Sequence, residues 1–131
     1  MTWKMHDKEF ASVLALPGDR RYSYFISKVA DWGLVWSLAS DDGWALAADD
    51  EGHELIPVWP HERFAAACAT NNWAGYEPRA VELSNWTEKG VPGMIRDHRL
   101  VAVFPTPADK GVIVSPNRLK DDLDEELSLI E

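Results

Sequence analysis

Two apolar runs in this chain each end in an aromatic residue held by prolines, and these endings restrict the fold more than any other feature. Pro57-Val58-Trp59-Pro60-His61 closes one run and Phe104-Pro105-Thr106-Pro107 closes the other. A turn of similar make, Tyr76-Glu77-Pro78-Arg79, lies between them. Proline fixes φ and removes a backbone donor, so each turn stops its strand and holds its neighbours rigidly. If Trp59, His61 and Phe104 form one surface, the two outer turns must meet, although Phe104 lies 45 residues beyond Trp59. Each turn directly follows its strand, so parallel neighbours bring the turns together and antiparallel neighbours separate them. A helix starting at His61 then serves as the crossover that parallel strands require. The expectation is one parallel pair inside a mostly antiparallel sheet.

Residues 34–59 read as a three-stranded meander. Leu34, Trp36 and Leu38 alternate with Val35, Ser37 and Ala39, and Trp44, Leu46 and Ala48 alternate with Ala45 and Ala47. A three-residue loop, Asp41-Asp42-Gly43, pairs Leu38 with Leu46 and puts glycine at the left-handed position such loops favour. A four-residue loop, Asp49-Asp50-Glu51-Gly52, then pairs Leu46 with Leu55. This register predicts Leu34, Trp36, Leu38, Trp44, Leu46 and Leu55 on one face. Pro57 lacks an N–H, which places the third strand at an edge or ends it there.

Helical periodicity marks the rest. Asp7 is placed to cap a helix running to about Leu16, and Pro17-Gly18 ends it. A second helix carries Tyr22, Phe25, Ile26 and Val29 on one side and stops at Gly33. An alanine-rich helix spans His61 to about Thr70. Ser84 is placed to cap a helix with Trp86, which Gly90, Pro92 and Gly93 break or bend. Leu100–Phe104 and Val112–Val114 read as a hairpin. Ser115-Pro116 opens a last helix with Leu119, Leu123, Leu127 and Ile130 on one face. The fold class is α+β in a single domain over residues 1–131: a mostly antiparallel sheet of four to six strands, with helices mainly on one face.

Charge and composition narrow the function classes. Lys plus Arg number 13 against 22 Asp plus Glu, a net charge of −9. That argues against a nucleic-acid binder and leaves room for a basic protein partner. No apolar run reaches the ~18 residues of a membrane span, and the first residues carry charge without an apolar signal core. The single cysteine, Cys68, cannot pair internally, which suits a reducing cytoplasm. Seven tryptophans stiffen the core or line a surface.

Reaction chemistry finds little support. Cys68 sits among alanines, about 10 Å along a helix from His61, too far for a thiolate and its base. No Gly-x-Ser-x-Gly elbow is present. His61-Glu62 starts a zinc-helix pattern that Ala65 breaks. His6, His53 and His98 have no ligand spacing, and the acidic turns lack the ligands of a calcium loop. No catalytic residue, metal or cofactor is assigned. The candidate binding residues are Trp59, His61, Tyr76, Arg79, Phe104 and Thr106, held by the proline turns as a pre-organised patch.

The ordered set Tyr22-Ser23-Tyr24-Phe25-Ile26, Val35-Trp36-Ser37-Leu38, Asp42-Gly43-Trp44-Ala45-Leu46, Ile56-Pro57-Val58-Trp59-Pro60-His61, Tyr76-Glu77-Pro78, Val103-Phe104-Pro105-Thr106-Pro107 and Gly111-Val112-Ile113-Val114 resembles a bacterial family, the domain of unknown function 2750. The resemblance spans about residues 21–122. It implies a small bacterial single-domain protein and brings no activity or catalytic residue with it. The Trp-Pro-His and Phe-Pro-Thr-Pro turns are also similar to those of small effector-associated and immunity-type α+β domains. The expected function is a non-enzymatic binding module in the bacterial cytoplasm, such as an inhibitor of a basic protein. The alternative is a small enzyme or small-molecule sensor with a pocket at the proline turns, using His61, Glu77 and Arg79 with Trp59 as its wall. The oligomeric state stays open.

Overall fold

The computed structural model describes residues 3–130. Two helices come first, α1 (Asp7–Leu14) and α2 (Gly18–Trp32). His6, not Asp7, is the N-cap of α1; Asp7 lies in the first turn, where its charge faces the positive helix end. In α2 the spacing of Phe25, Ile26 and Val29 buries one side. Gly33 ends α2 at φ 72°, a left-handed position that glycine takes without a Cβ clash.

Seven strands follow, β1 (Leu34–Ser40), β2 (Gly43–Trp44), β3 (Ala47–Ala48), β4 (Glu54–Val58), β5 (Glu77–Glu82), β6 (Leu100–Val103) and β7 (Val112–Val114). They form two sheets, an antiparallel one in the order β2-β1-β5 and a mixed one in the order β3-β4-β6-β7. The parallel pair expected from the two proline turns is β4–β6, with Val58 beside Val103. Its crossover carries α3 (Glu62–Ala67) and β5. The outer turns meet at its end: Trp59 Nε1 donates to the Pro105 carbonyl at 2.8 Å.

The meander register is corrected by one position at each hairpin. Ala39 pairs with Trp44 and Ser40 with Gly43, so the loop is the two residues Asp41-Asp42. The Ser40 hydroxyl accepts from the Asp42 N–H at 3.2 Å within this tighter turn. A shift of one residue moves every side chain to the other face. Trp44 therefore shares a face with Val35 and Ser37, while Trp36 and Leu38 occupy the opposite one. Ala45 still donates to the Leu38 carbonyl at 2.9 Å, and its methyl is fully buried in the corner. The chain then leaves β1. Ala47, not Leu46, pairs with Leu55, and Leu46 is exposed.

The meander thus divides between two sheets, and Pro57 sits at the division. Trp36 and Trp59 exchange backbone hydrogen bonds at 2.8 and 2.9 Å, joining β1 to the end of β4. Continuing that ladder would set Leu38 opposite Pro57, where proline has no N–H to give. Leu38 turns its carbonyl to Ala45 instead, and the Ser37 hydroxyl donates to the Pro57 carbonyl at 2.7 Å. Pro57 is therefore not at a sheet edge: β4 lies between β3 and β6. It marks where one side of β4 changes neighbour from β1 to β3.

Residues 83–96 form one interrupted helix: α4 (Leu83–Asn85), a π-helical turn (Trp86–Gly90) and α5 (Val91–Arg96). The Val91 N–H bonds the Trp86 carbonyl, five residues back. Pro92 has no N–H for the Glu88 carbonyl, and the wider turn carries the helix past it. The glycines and Pro92 thus widen the helix rather than end it. The helix begins at Leu83, ahead of the Ser84 expected to cap it. The last helix, α6 (Pro116–Ile130), starts as expected, with Ser115 Oγ accepting from the Arg118 N–H at 3.1 Å. Phe25, Val29, Leu38, Val58, Trp59, Phe64, Phe104, Leu119 and Leu123 form one core across both sheets. No helix among the described residues is long and apolar enough to cross a membrane.

Candidate functional site

The splay between β1 and β4 opens a groove of about 410 Å³, within the range of small-ligand sites. Val35, Val58 and Val81 form its floor, and Trp86 and Met94 of the interrupted helix form its roof. Trp86 and Met94 are nearly buried, which fixes the roof on the core. Gly90 also lines the groove, against the Trp86 ring. Ser37 also lines the groove, but its hydroxyl is committed to Pro57.

The rim is charged. Lys89, Asp97 and Arg99 line it. Asp97 lies 3.5 Å from Arg96 and 3.6 Å from Arg99, and Arg99 also pairs with Glu54 at 3.2 Å. Arg96 Nη2 is 3.6 Å from where a Cβ on Gly93 would sit, beside the groove lining. Arg79 lies over the Trp44 ring at 5.8 Å, and Trp44 forms part of the groove wall. Among the described residues, neither Arg79 nor Lys89 is in an ion pair.

The expected binding residues are distributed differently. Trp59 and Phe104 do meet, but inside: both are fully buried. Phe104 takes φ 58° and packs on Phe64, with centroids 4.7 Å apart. His61 is also buried and caps α3, its Nδ1 accepting from the Arg63 N–H at 3.1 Å. Its Nε2 donates to the Trp3 carbonyl at 3.0 Å, which places the ring hydrogen on Nε2. Tyr76 is half-buried against the core. Arg79 is exposed at the groove mouth. Thr106 lines a second cleft of about 370 Å³ beside Leu55, Trp73 and Pro107. Neither of these two clefts is lined by His61, Glu77, Arg79 or Trp59.

Two further constellations bear on chemistry. Cys68 is buried and its thiol donates to the Pro105 carbonyl at 3.5 Å. Burial pushes its pKa up to about 11, so little thiolate forms near neutrality. Asp49, Glu51 and His53 bring possible metal-ligand atoms within 4.8 Å of one another on the turn before β4. Asp49 Oδ1 there already accepts from the Glu51 and His53 N–H groups, at 3.0 and 2.8 Å. Sequence spacing alone gives His53 no ligand partners.

No motif marks the groove residues, which lie on β1, β2, β4, β5, the interrupted helix and the loop after it. The one sequence signal was the Gly90-Val91-Pro92-Gly93 interruption, since π-turns inside helices concentrate at functional sites. No curated protein and no solved structure matches this chain. The family model described as "Protein of unknown function (DUF2750)" matches residues 22–123, from α2 through β7 into α6 and across both walls of the groove; the chain belongs to that family.

Proposed function

We propose that this protein is a non-enzymatic binding module whose ligand enters the groove between the splayed sheets and the interrupted helix. The observation that carries this reading is that backbone chemistry holds the groove open. Pro57 cannot complete the β1–β4 ladder, Ser37 occupies the carbonyl that remains, and the π-turn seats Trp86 as a roof. A pre-formed apolar site with a few polar groups at its edge is the usual form of a small-ligand site. A binding role is favoured over a reaction because the groove lining presents no nucleophile beside a base: Ser37 is committed to Pro57, and Cys68 lies elsewhere in the core.

Native mass spectrometry of the protein isolated from its own cells tests this reading. The expected result is a small-molecule adduct that disappears in Val81→Trp, which fills the groove. Bare chain from both proteins, each normally folded, would overturn it. A basic protein partner in the bacterial cytoplasm is the second reading. It is favoured by one observation, the exposed row Asp121, Asp124 and Glu125 on α6. Recovery of a stoichiometric basic protein, released by moderate salt and insensitive to Val81→Trp, would select it.

A further inference from the structure

We propose that the groove takes a small amphipathic anion: a flat apolar body under Trp86, with an oxyanion group held at the rim by Lys89. This inference rests on the groove being the ligand site and adds the ligand's charge and shape. The chain as a whole carries −9, yet Lys89 and Arg99 line this opening, with Arg96 beside the lining Gly93 and Arg79 over the ring of the lining Trp44. The single lining carboxylate, Asp97, lies between Arg96 and Arg99 at 3.5 and 3.6 Å. Lys89, in the lining, and Arg79, over Trp44, are left without an anionic partner among the described residues. An unpaired ammonium at the mouth of an apolar groove favours an oxyanion through charge-assisted hydrogen bonds. The floor is aliphatic and the walls include two indoles, Trp44 and Trp86, a lining that suits a flat ring system.

A matched dye pair provides the test. 1-Anilinonaphthalene-8-sulfonate and N-phenyl-1-naphthylamine share their rings and differ in the sulfonate. Each is titrated into the folded chain, with dye emission excited through tryptophan, since Trp44 and Trp86 line the site. The expected result is one sulfonate bound per chain, about tenfold more tightly than the neutral amine. Lys89→Glu removes that preference and leaves the neutral dye's affinity unchanged, and Val81→Trp weakens both dyes. Lys89 is exposed, so the variant keeps the fold, which near-ultraviolet circular dichroism verifies; Lys89→Gln is the substitute if it does not. Equal binding of the two dyes, blocked by Val81→Trp but untouched at Lys89, overturns the anionic ligand and leaves the groove reading standing. No saturable binding of either dye overturns both.

Discussion

Ser37 and Pro57 meet where the two sheets part, and each compensates for what the other's backbone lacks. Pro57 offers no donor to β1, and its carbonyl would be left without a partner in a buried corner. The Ser37 hydroxyl, 4% exposed, donates to it at 2.7 Å. Ser37→Ala leaves that carbonyl unsatisfied, and the expected loss in chemical denaturation is about 1–2 kcal/mol. Cys68 makes a second residue-scale prediction. With its pKa pushed up to about 11 by burial, the folded protein should resist a maleimide at pH 7.5, and labelling should follow global unfolding in urea. Rapid labelling of folded protein would contradict the buried placement.

Between elements, the 104–109 turn is held down by Arg21 of α2. Its Nε donates to the Phe104 carbonyl at 3.3 Å and its Nη1 to the Leu16 carbonyl. Nη2 approaches Asp109 at 3.1 Å as an ion pair, without the alignment of a hydrogen bond. The Gly111 N–H, donating at 2.7 Å, and then Arg21 hold the Asp109 carboxyl below its ordinary range. A depressed folded pKa gives stability that is present above the unfolded value of about 4 and lost as pH falls through the folded one. Melting curves should therefore show wild type losing more stability than Asp109→Asn on going from pH 5 to pH 2. An equal loss would remove Asp109 from that role. This contact could not be read from sequence, because Arg21 and Asp109 sit on unrelated elements far apart in the chain. The parallel pair could be read, because proline stops a strand by local chemistry that leaves a mark in the residues themselves. The hairpin register could not. Asp41-Asp42-Gly43 permits a two- or a three-residue loop, and the choice depends on the corner that Ala45 fills. The groove stayed hidden for the same reason as Arg21: it is a product of how sheets and helix assemble, not of any segment.

At the scale of the molecule, two sheets share one core. The Trp36–Trp59 backbone exchange joins them, and buried residues from β1, β4, α3 and α6 belong to the same cluster. Unfolding should therefore be a single transition, with tryptophan emission and far-ultraviolet circular dichroism tracing coincident denaturant curves. Trp36 and Trp73 sit on the first sheet's strand and the crossover, and Trp59 at the end of β4, so emission samples both sheets. Separate midpoints would mean that the sheets melt independently.

The crossover from β4 to β6 has a consequence for how the chain is made. It runs through β5, the last strand of the other sheet, before returning. Neither sheet is a continuous stretch of the chain, and β4 gains its central partner only when Leu100–Val103 arrives. During synthesis from the N-terminus, the first sheet can close once Glu82 has emerged, while β4 still presents a free edge. That edge carries Ile56 and Val58, and an unpaired apolar edge invites pairing with other chains. Pro57 lies between them, but its missing N–H faces β1, so the edge awaiting β6 keeps all its hydrogen-bonding groups. The imide that parts the finished sheets therefore guards only the side facing β1, and the growing chain stays open on the other side while its proper neighbour is still inside the ribosome.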